Sequence, residues 1–580
     1  MNTKWLIKDA PDALQVETLK NEMNVTEVVA YMLVQRGITE FDDAKSFFRA
    51  SLKELHDPFL MKDMDRAVER INIALEEGQK IMIYGDYDVD GTTAISVVYG
   101  YLSQMTDLIA YYIPDRYKEG YGVSEIGIRS AHENGFSLII TLDCGIKANE
   151  KADLANSLGI DMIICDHHTP GKELPDAIVL DPKRADCNYP YKELSGCGVG
   201  FKLMQALAIT NDWDQSVLFQ NLDLLAISIA ADIVPITGEN RLLAQYGLKQ
   251  LNENTRPGID ILLTLAKREK PLTLTDIVFT IAPRINAAGR IDDAKKAVVL
   301  MTSNDETELR EIAKTIHEFN EERRILDKEI TEHALSIVEE NSSFQDKCTT
   351  VVFHETWHKG VIGIVASRLI ENYYRPTIVL TQSEDGKTWT GSARSIKGVN
   401  IYDMLEKCSA HLGRFGGHYF AAGMTLKNEQ LQDFIQCFDD EVRKIIGSES
   451  LIPEQIIEKE LAFENLFNRG ESIFEVPRLM RVLRQFEPHG PDNMKPLFLA
   501  KNVFAHDAKL LKDVHLKMKV YQPNFQKHIE AIYFKSPEAL KIVQDGPFDM
   551  VFTLEVNQFK GRTTPQLMVK DIRKSVGSLE

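Results

Sequence analysis

Asp86, Asp88 and Asp90 alternate in Gly85-Asp86-Tyr87-Asp88-Val89-Asp90-Gly91, and an acid-imidazole group, Asp166-His167-His168, lies downstream. Alternation along an extended chain turns such aspartates toward a common ion, and Gly91 permits a tight turn beside it. Asp143, in Asp143-Cys144-Gly145, and Asp232, in Ala231-Asp232-Ile233, add oxygen donors. Carboxylates with imidazole and no thiolate suit Mn2+ or Mg2+ better than structural zinc. Asp86, Asp88, Asp90, Asp143, His167, His168 and Asp232 supply ligands enough for two ions. Two ions about 3.5–4 Å apart can clamp the attacking and leaving oxygens of a phosphodiester. Other readings of these residues stand beside this one. DxDxDG resembles a calcium loop, but that loop needs Glu at its twelfth position, which here is Val97. Gly196-Cys197-Gly198-Val199-Gly200 lacks the GxGxxG spacing of a dinucleotide fingerprint. Singly, each aspartate reads as a cap or turn residue.

The elements that must position these groups are visible as texture. The first ~75 residues read as amphipathic helices (TEVVAYMLVQRG, DDAKSFFRA, DMDRAVERINIALEEG) with no catalytic pattern. After Gln79, short apolar runs recur with helical stretches between them: Ile81–Tyr84, Ile109–Ile113, Leu138–Leu142, Met162–Cys165 and Ala177–Leu180. That alternation predicts βαβ units and a doubly wound parallel sheet. An acid stands close behind each run (Asp86, Asp115, Asp143, Asp166, Asp181), on the rim where open α/β sheets bind ligands. A helical region comes next, over about 195–345, ending in a long charged helix from Glu306 to Asn341 that reads as a spacer between lobes. A smaller α/β domain starts near Cys348 and ends in Gly416-Gly417-His418…Ala421-Ala422-Gly423. From about Ile456 a third region becomes β-rich (LKMKVYQ, HIEAIYF, FDMVFTLEV), which predicts a small barrel.

Composition bounds the class. The chain has 580 residues, 44% apolar and 26% charged, an ordinary multidomain globular balance. No apolar run approaches the roughly 20 residues of a membrane helix. The start, MNTKWLIKDAPDAL, has no leader pattern, and the 7 scattered cysteines contain no CxxC, so reduced thiols and a cytoplasmic location are expected. A formal net charge of −19 argues against nucleic acid, but its distribution softens that. Lys501, Lys509, Lys512, Lys517, Lys519 and Lys527 stand against Asp507 and Asp513 alone; they make either a basic path or a solvated face.

Asp166-His167-His168 after an apolar strand, with DYDVDG upstream, resembles the DHH phosphoesterase family, and the Gly416–Gly423 segment resembles its DHHA1 accessory domain. IPDRYKEGYG, GCGVGFKL, IAADIVP, PRINAAGR, WHKGVIGIVASRL and GSARS are similar to the RecJ branch of that family. PHGPDNMKPLF resembles the approach to the branch's OB-like barrel. The resemblance covers about 50–575. It implies an α/β multidomain chain: helical segment 1–75, DHH domain 76–300, connecting helix 301–345, DHHA1 domain 346–430 and OB-like domain 455–580. It implies a single-stranded-DNA-specific 5′-to-3′ exonuclease of repair and recombination, in which a hydroxide held by two Mn2+ or Mg2+ ions attacks the phosphodiester nearest a 5′ end. Asp88, Asp90, Asp143, His167, His168 and Asp232 would be ligands, with Asp86 as ligand or neighbour. Tyr84 departs from relatives that carry a His ligand there. End-phosphate donors would be Arg116, Arg290 and Arg394, with Ser392 and His418, because arginine grips phosphate bidentately. Trp357, Tyr419 and Phe420 could stack on bases, though core packing is expected of each. The resemblance also implies single-stranded DNA, a single-strand-binding protein and a RecQ-type helicase as partners, and no membrane. The alternatives are a DHH oligonucleotide or cyclic-dinucleotide phosphodiesterase and a non-enzymatic scaffold; the scaffold would have lost ligands that are all present here.

Overall fold

The computed structural model describes residues 3–116, 118–291, 293–383, 386–446, 451–467, 470–559 and 561–575. It divides into two compact units that interleave along the chain. The larger comprises Trp5–Arg256, Glu269–Ala282 and Gln455–Glu580; the smaller is built chiefly from Pro257–Arg268 and Pro283–Glu454. Among the described residues, no helix is long and apolar enough to cross a membrane.

In the larger unit, β1 (Lys80–Gly85), β2 (Ile109–Tyr112), β3 (Phe136–Leu142), β4 (Asp161–Cys165) and β5 (Ile178–Leu180) form the expected parallel sheet in the order β2-β1-β3-β4-β5. Ile81, Ile83, Leu138, Ile140 and Ile163 are wholly buried. Helices cover both faces of such a sheet, so its strands read as unbroken apolar runs. Strand order reverses at β1, the switch point where open sheets bind ligands. Helix α1 (Val89–Leu102) leaves β1 directly, and α2 (Gly196–Thr210) and α3 (Leu222–Ala231), both almost entirely buried, pack beside it.

In the smaller unit, β6 (Thr350–His354), β7 (Thr377–Gln382), β8 (Thr388–Arg394), β9 (Arg414–Gly417) and β10 (Ala421–Lys427) form a mixed sheet, β9-β10-β8-β7-β6. The long helix α4 (Glu306–Glu340) is present as expected, but it is more than a spacer. Leu309, Ala313 and Ile316 pack with Leu262, Ala288 and Leu300 at one end. At the other end Ile330, Ala334 and Val338 pack with Val352 and with Val365 and Leu369 of α5 (Ile362–Tyr373).

The last part of the larger unit is a closed five-stranded barrel of β11 (Phe498–Leu511), β12 (His515–Gln522), β13 (Phe525–Tyr533), β14 (Phe548–Phe559) and β15 (Arg562–Lys574). Its strands run β11-β12-β13-β15-β14 and return to β11. Its core is shared with the chain's beginning: Val28, Val29, Met32 and Leu33 join Phe463, Phe486, Phe498 and Phe552 in one cluster. The apolar stripe of the N-terminal helices is therefore a wall of the barrel region.

Candidate metal centre

The aspartate run does not stay extended as the alternation suggests. Helix α1 starts at Val89, with Asp88 as its N-cap accepting from Gly91 N at 3.0 Å, so Asp90 lies in the first helical turn. Gly91 is needed for close approach rather than for a turn: a Cβ there would lie 2.4 Å from the Asp86 carbonyl oxygen. The Asp90 carboxylate is held by Gly196 N (2.7 Å), Cys197 N (2.9 Å) and Ser228 Oγ (2.7 Å), and Ser228 Oγ is 2.6 Å from Ser195 Oγ. The glycine-rich segment at 196–200 is thus a helix N-terminus whose free N–H groups bind this chain's own carboxylate.

Asp143 leaves β3 in the left-handed region (φ 59), where aspartate is tolerated, and Asp143 N donates to Cys165 O at 2.9 Å. Asp166 leaves β4 and accepts from Ile146 N (2.9 Å), His167 N (2.8 Å), His168 N (3.1 Å) and His168 Nδ1 (2.7 Å). Although burial works the other way, these bonds hold its carboxyl down at about 2. An ionised Asp166 can only accept, so a neutral His168 carries its proton on Nδ1 and presents its lone pair on Nε2. Tyr121 Oη lies 3.3 Å from that Nε2. Asp232 caps the C-terminus of α3, and the exposed Ile233 after it takes φ 59, a strained conformation for a β-branched residue.

These elements converge on His167. Its Nε2 lies 3.2 Å from Asp143 Oδ1, 3.6 Å from Asp232 Oδ2 and 3.8 Å from Asp90 Oδ2. The ring is 6% exposed, and neither nitrogen has a hydrogen-bond partner among the described residues. Donor atoms of Asp143, His167 and His168 lie within 4.8 Å of one another, as do those of Asp90, His167 and Asp232. Burial, then repulsion from neighbouring carboxylates, pushes Asp143 and Asp232 well up. Burial and Asp88 do the same to Asp86, whose buried Oδ1 has no partner among the described residues. Asp88 is raised by burial and by Asp90, and burial pushes the His167 imidazole down. Buried acids facing an unprotonated imidazole and one another are stable beside a divalent cation and costly without one. Oxygen and imidazole donors of this kind fit Mn2+ or Mg2+.

Other expected residues fall elsewhere. The Arg116 guanidinium lies 5.0 Å above the Tyr87 ring and its charge acts on Asp86. Tyr84 is wholly buried, donates to Gly122 O (3.1 Å) and accepts from Ser124 N (3.0 Å), so its hydroxyl braces the loop that carries Tyr121. In the smaller unit, Arg394 donates to Ser392 Oγ (3.1 Å) and to Ala393 O (2.8 Å) on β8. A Cβ on Gly363 would lie 2.8 Å from Ser392 Oγ and 2.9 Å from Arg394 Nη2, so this glycine makes room for the pair. His418 lies just after β9 and is exposed. Arg290 falls in the helix Ala282–Ile291, and its side chain lies outside the described residues. Trp357 is buried as expected, whereas Tyr419 and Phe420 are 40% and 54% exposed and are not core residues. Sequence reasoning passed over Asp166, Tyr121, Ser195 and Ser228 as site residues. The first two lay inside quoted motifs, but nothing local marked the serines.

Comparison with known proteins bears on the family and the fold. Family models match as the N-terminal domain of the DHH family over residues 80–229, the DHHA1 domain over 345–444 and the RecJ OB domain over 476–571. The single-stranded-DNA-specific exonuclease RecJ of Bacillus subtilis (strain 168) is 39% identical over 573 residues, 98% of this chain and 70% of that protein. The chain belongs to the RecJ family. RecJ of Escherichia coli (strain K12) is 33% identical over 537 residues, 88% of this chain and 90% of that protein. The crystal structure of Thermus thermophilus RecJ in complex with Mn2+ superposes with TM-score 0.84 at 25% identity, covering 99% of this chain and 80% of that one. A second RecJ structure, bound to manganese, gives TM-score 0.58 at 29% identity over 68% of this chain and 97% of that one.

Proposed function

We propose that this chain hydrolyses single-stranded DNA from the 5′ end with two divalent cations, Mn2+ or Mg2+. The observation that carries the reading is His167: a buried imidazole nitrogen, without a hydrogen-bond partner among the described residues, within 3.8 Å of oxygens from Asp143, Asp232 and Asp90. Asp88, Asp90, Asp143, His167, His168 and Asp232 would hold the ions, with Asp86 beside them. Such ions supply charge neutralisation at a phosphodiester and acidify water near neutral pH. The chain's own groups do the positioning. The N-terminus of α2 and Ser228 aim Asp90; Asp166 aims His168. Arg394, with Ser392, is the grip on a terminal phosphate, and Arg116, Arg290 and His418 are further phosphate donors. We assign the chemistry to 76–300, end recognition to 346–430 and strand binding to 455–580, and take a single-strand-binding protein and a RecQ-type helicase as partners.

The barrel's exterior supports strand binding. Phe504 pairs with Tyr521 across β11 and β12 and stacks on it (5.6 Å), and Tyr521 stacks on His528 of β13 (4.9 Å). Their strand neighbours Val503, Val520 and Ile529 point into the core. Aromatic side chains on the outer face of such a barrel are what single strands use for stacking. The test is a time course on 5′- and 3′-labelled single strands with Mn2+, Mg2+ or chelator. Release of the 5′ label first, only with metal, is expected. Prior loss of the 3′ label overturns the polarity, and hydrolysis in chelator overturns the metal reading.

A further inference from the structure

Asp232 is among the less enclosed of the proposed ligands: its side chain is 30% exposed, against 27% for His168, 4% for Asp143 and 1% for Asp90. It also sits on irregular backbone, between the end of α3 and the strained Ile233. No sheet hydrogen bond fixes it. The backbone just beyond it is fixed instead. Pro235 O accepts from Tyr191 Oη (3.2 Å) and Asn240 Nδ2 (3.1 Å), and Ile236 N donates to Pro491 O at 2.8 Å. Ile236 is 1% exposed and lies so close to Gly490 that a Cβ there would come within 2.5 Å of Ile236 Cγ1.

Pro491 belongs to a turn over Gly490–Asn493 that leads into the barrel. Gly490 and Asn493 bridge through their backbones (3.2 and 3.0 Å). Asn493, 2% exposed, donates to Phe486 O (2.8 Å) and Pro488 O (2.9 Å) and accepts from Arg36 Nε (3.1 Å). Arg241, in the helix after Asp232, ties to the same segment through Gln485 O and Glu487 O, both at 3.2 Å. The region assigned to strand binding therefore contributes the anchor for the backbone that carries Asp232.

We propose that the Gly490–Asn493 turn is a positioning element for Asp232, so that disturbing it weakens metal binding without touching strand or metal. The proposal rests on the metal reading above. Groups that hold a ligand in place are typically worth 10- to 100-fold in metal affinity, and about tenfold is expected here.

The test is Mn2+ titration by calorimetry and electron spin resonance, with thermal unfolding to show that each variant is folded. Gly490→Ala should push Ile236 and weaken Mn2+ binding about tenfold, with KM for a dinucleotide unchanged. Adding Ile236→Ala removes the crowding atom and should restore the affinity. If Gly490→Ala does not fold, Asn493→Ala, which loosens the turn rather than crowding it, is expected to show the same loss. Unchanged Mn2+ affinity in a folded turn variant overturns the proposal, and so does a loss that Ile236→Ala leaves in place. Asp232→Asn separates the two ideas: unchanged Mn2+ binding in that variant removes Asp232 from the metal site and defeats the metal reading itself.

Discussion

Two charged regions of the larger unit are put together in opposite ways. At the C-terminal rim of the parallel sheet, Asp86, Asp90, Asp143 and His167 are buried, and carboxylates face carboxylates. On the barrel, lysines that are exposed or half-buried have acidic partners: Lys501 with Glu460 (2.7 Å), Lys519 with Asp507 (2.9 Å) and the half-buried Lys517 with Glu530 (3.4 Å). Surface pairs of this kind contribute about 0–1 kcal/mol and are readily exchanged for phosphate. Buried like charges have no such freedom, and burial with unmet valence is what marks the chemistry.

The comparison breaks most sharply at the rim. Asp143→Asn or His167→Ala should lower metal-dependent hydrolysis about a thousandfold or more, since a catalytic ion is worth several kcal/mol and about 1.4 kcal/mol is tenfold. Asparagine is the cleaner replacement at 143, because alanine would be strained at φ 59. The chelated Asp143→Asn protein should melt no lower than the parent, because it loses a carboxylate that burial and Asp90 disfavour. Retention of more than a tenth of the activity in both variants, or a clear drop in the melting temperature of the chelated Asn variant, contradicts the assignment.

Arg394→Ala removes a charge-assisted contact worth about 1.5–3 kcal/mol. Hydrolysis of 5′-phosphorylated strands should slow about 10- to 100-fold, with much less effect on 5′-hydroxyl strands. An unchanged ratio of the two initial rates shows that Arg394 does not read the end.

The barrel side sharpens with point changes rather than deletion, which would also remove the Gly490–Asn493 turn. Stacking is worth about 1–3 kcal/mol per base, so Tyr521→Ala, which removes the middle ring of the Phe504–Tyr521–His528 stack, should weaken binding of a long strand about 5- to 100-fold. Dinucleotide hydrolysis should stay the same. Equal losses on both substrates would place Tyr521 in the chemistry instead.

The last effect concerns the pH dependence of stability rather than activity. Burial pushes His489 down to about 4 from 6.5, although its Nδ1 lies 3.2 Å from Asn493 O. The unfolded chain takes up a proton as pH falls through 6.5, whereas the folded chain resists until about 4. The stability that depends on neutral His489 is therefore complete above 6.5 and is lost as pH falls toward 4, by up to about 1.4 kcal/mol per unit. Denaturant unfolding at stepped pH should show this slope in the parent and a shallower one in His489→Gln. Equal slopes would remove His489 as its source.

The strands of the parallel sheet were legible because both faces are buried, which writes each strand as a continuous apolar run: β1, β3 and β4 fall within two residues of Ile81–Tyr84, Leu138–Leu142 and Met162–Cys165. The acids behind those runs were legible for the same reason. Which of them converge was not. Asp115 accepts from Lys118 N at 3.0 Å in its own loop, and Asp181 takes Lys183 N at 2.7 Å while burial raises its carboxyl to about 7.

By itself, then, the sequence determined the sheet, the barrel, the long helix and the inventory of carboxylates and imidazoles behind the strands, because periodicity and motif spacing are local properties. Tertiary structure alone decided that Asp166 orients His168, that the α2 N-terminus grips Asp90 and that Val28 and Met32 help close the barrel's core. It also decided that Pro491 holds the chain beyond Asp232. Each of these joins residues that local pattern does not pair, and a partner chosen by packing and hydrogen-bond geometry leaves no periodic signal in the residues that will meet.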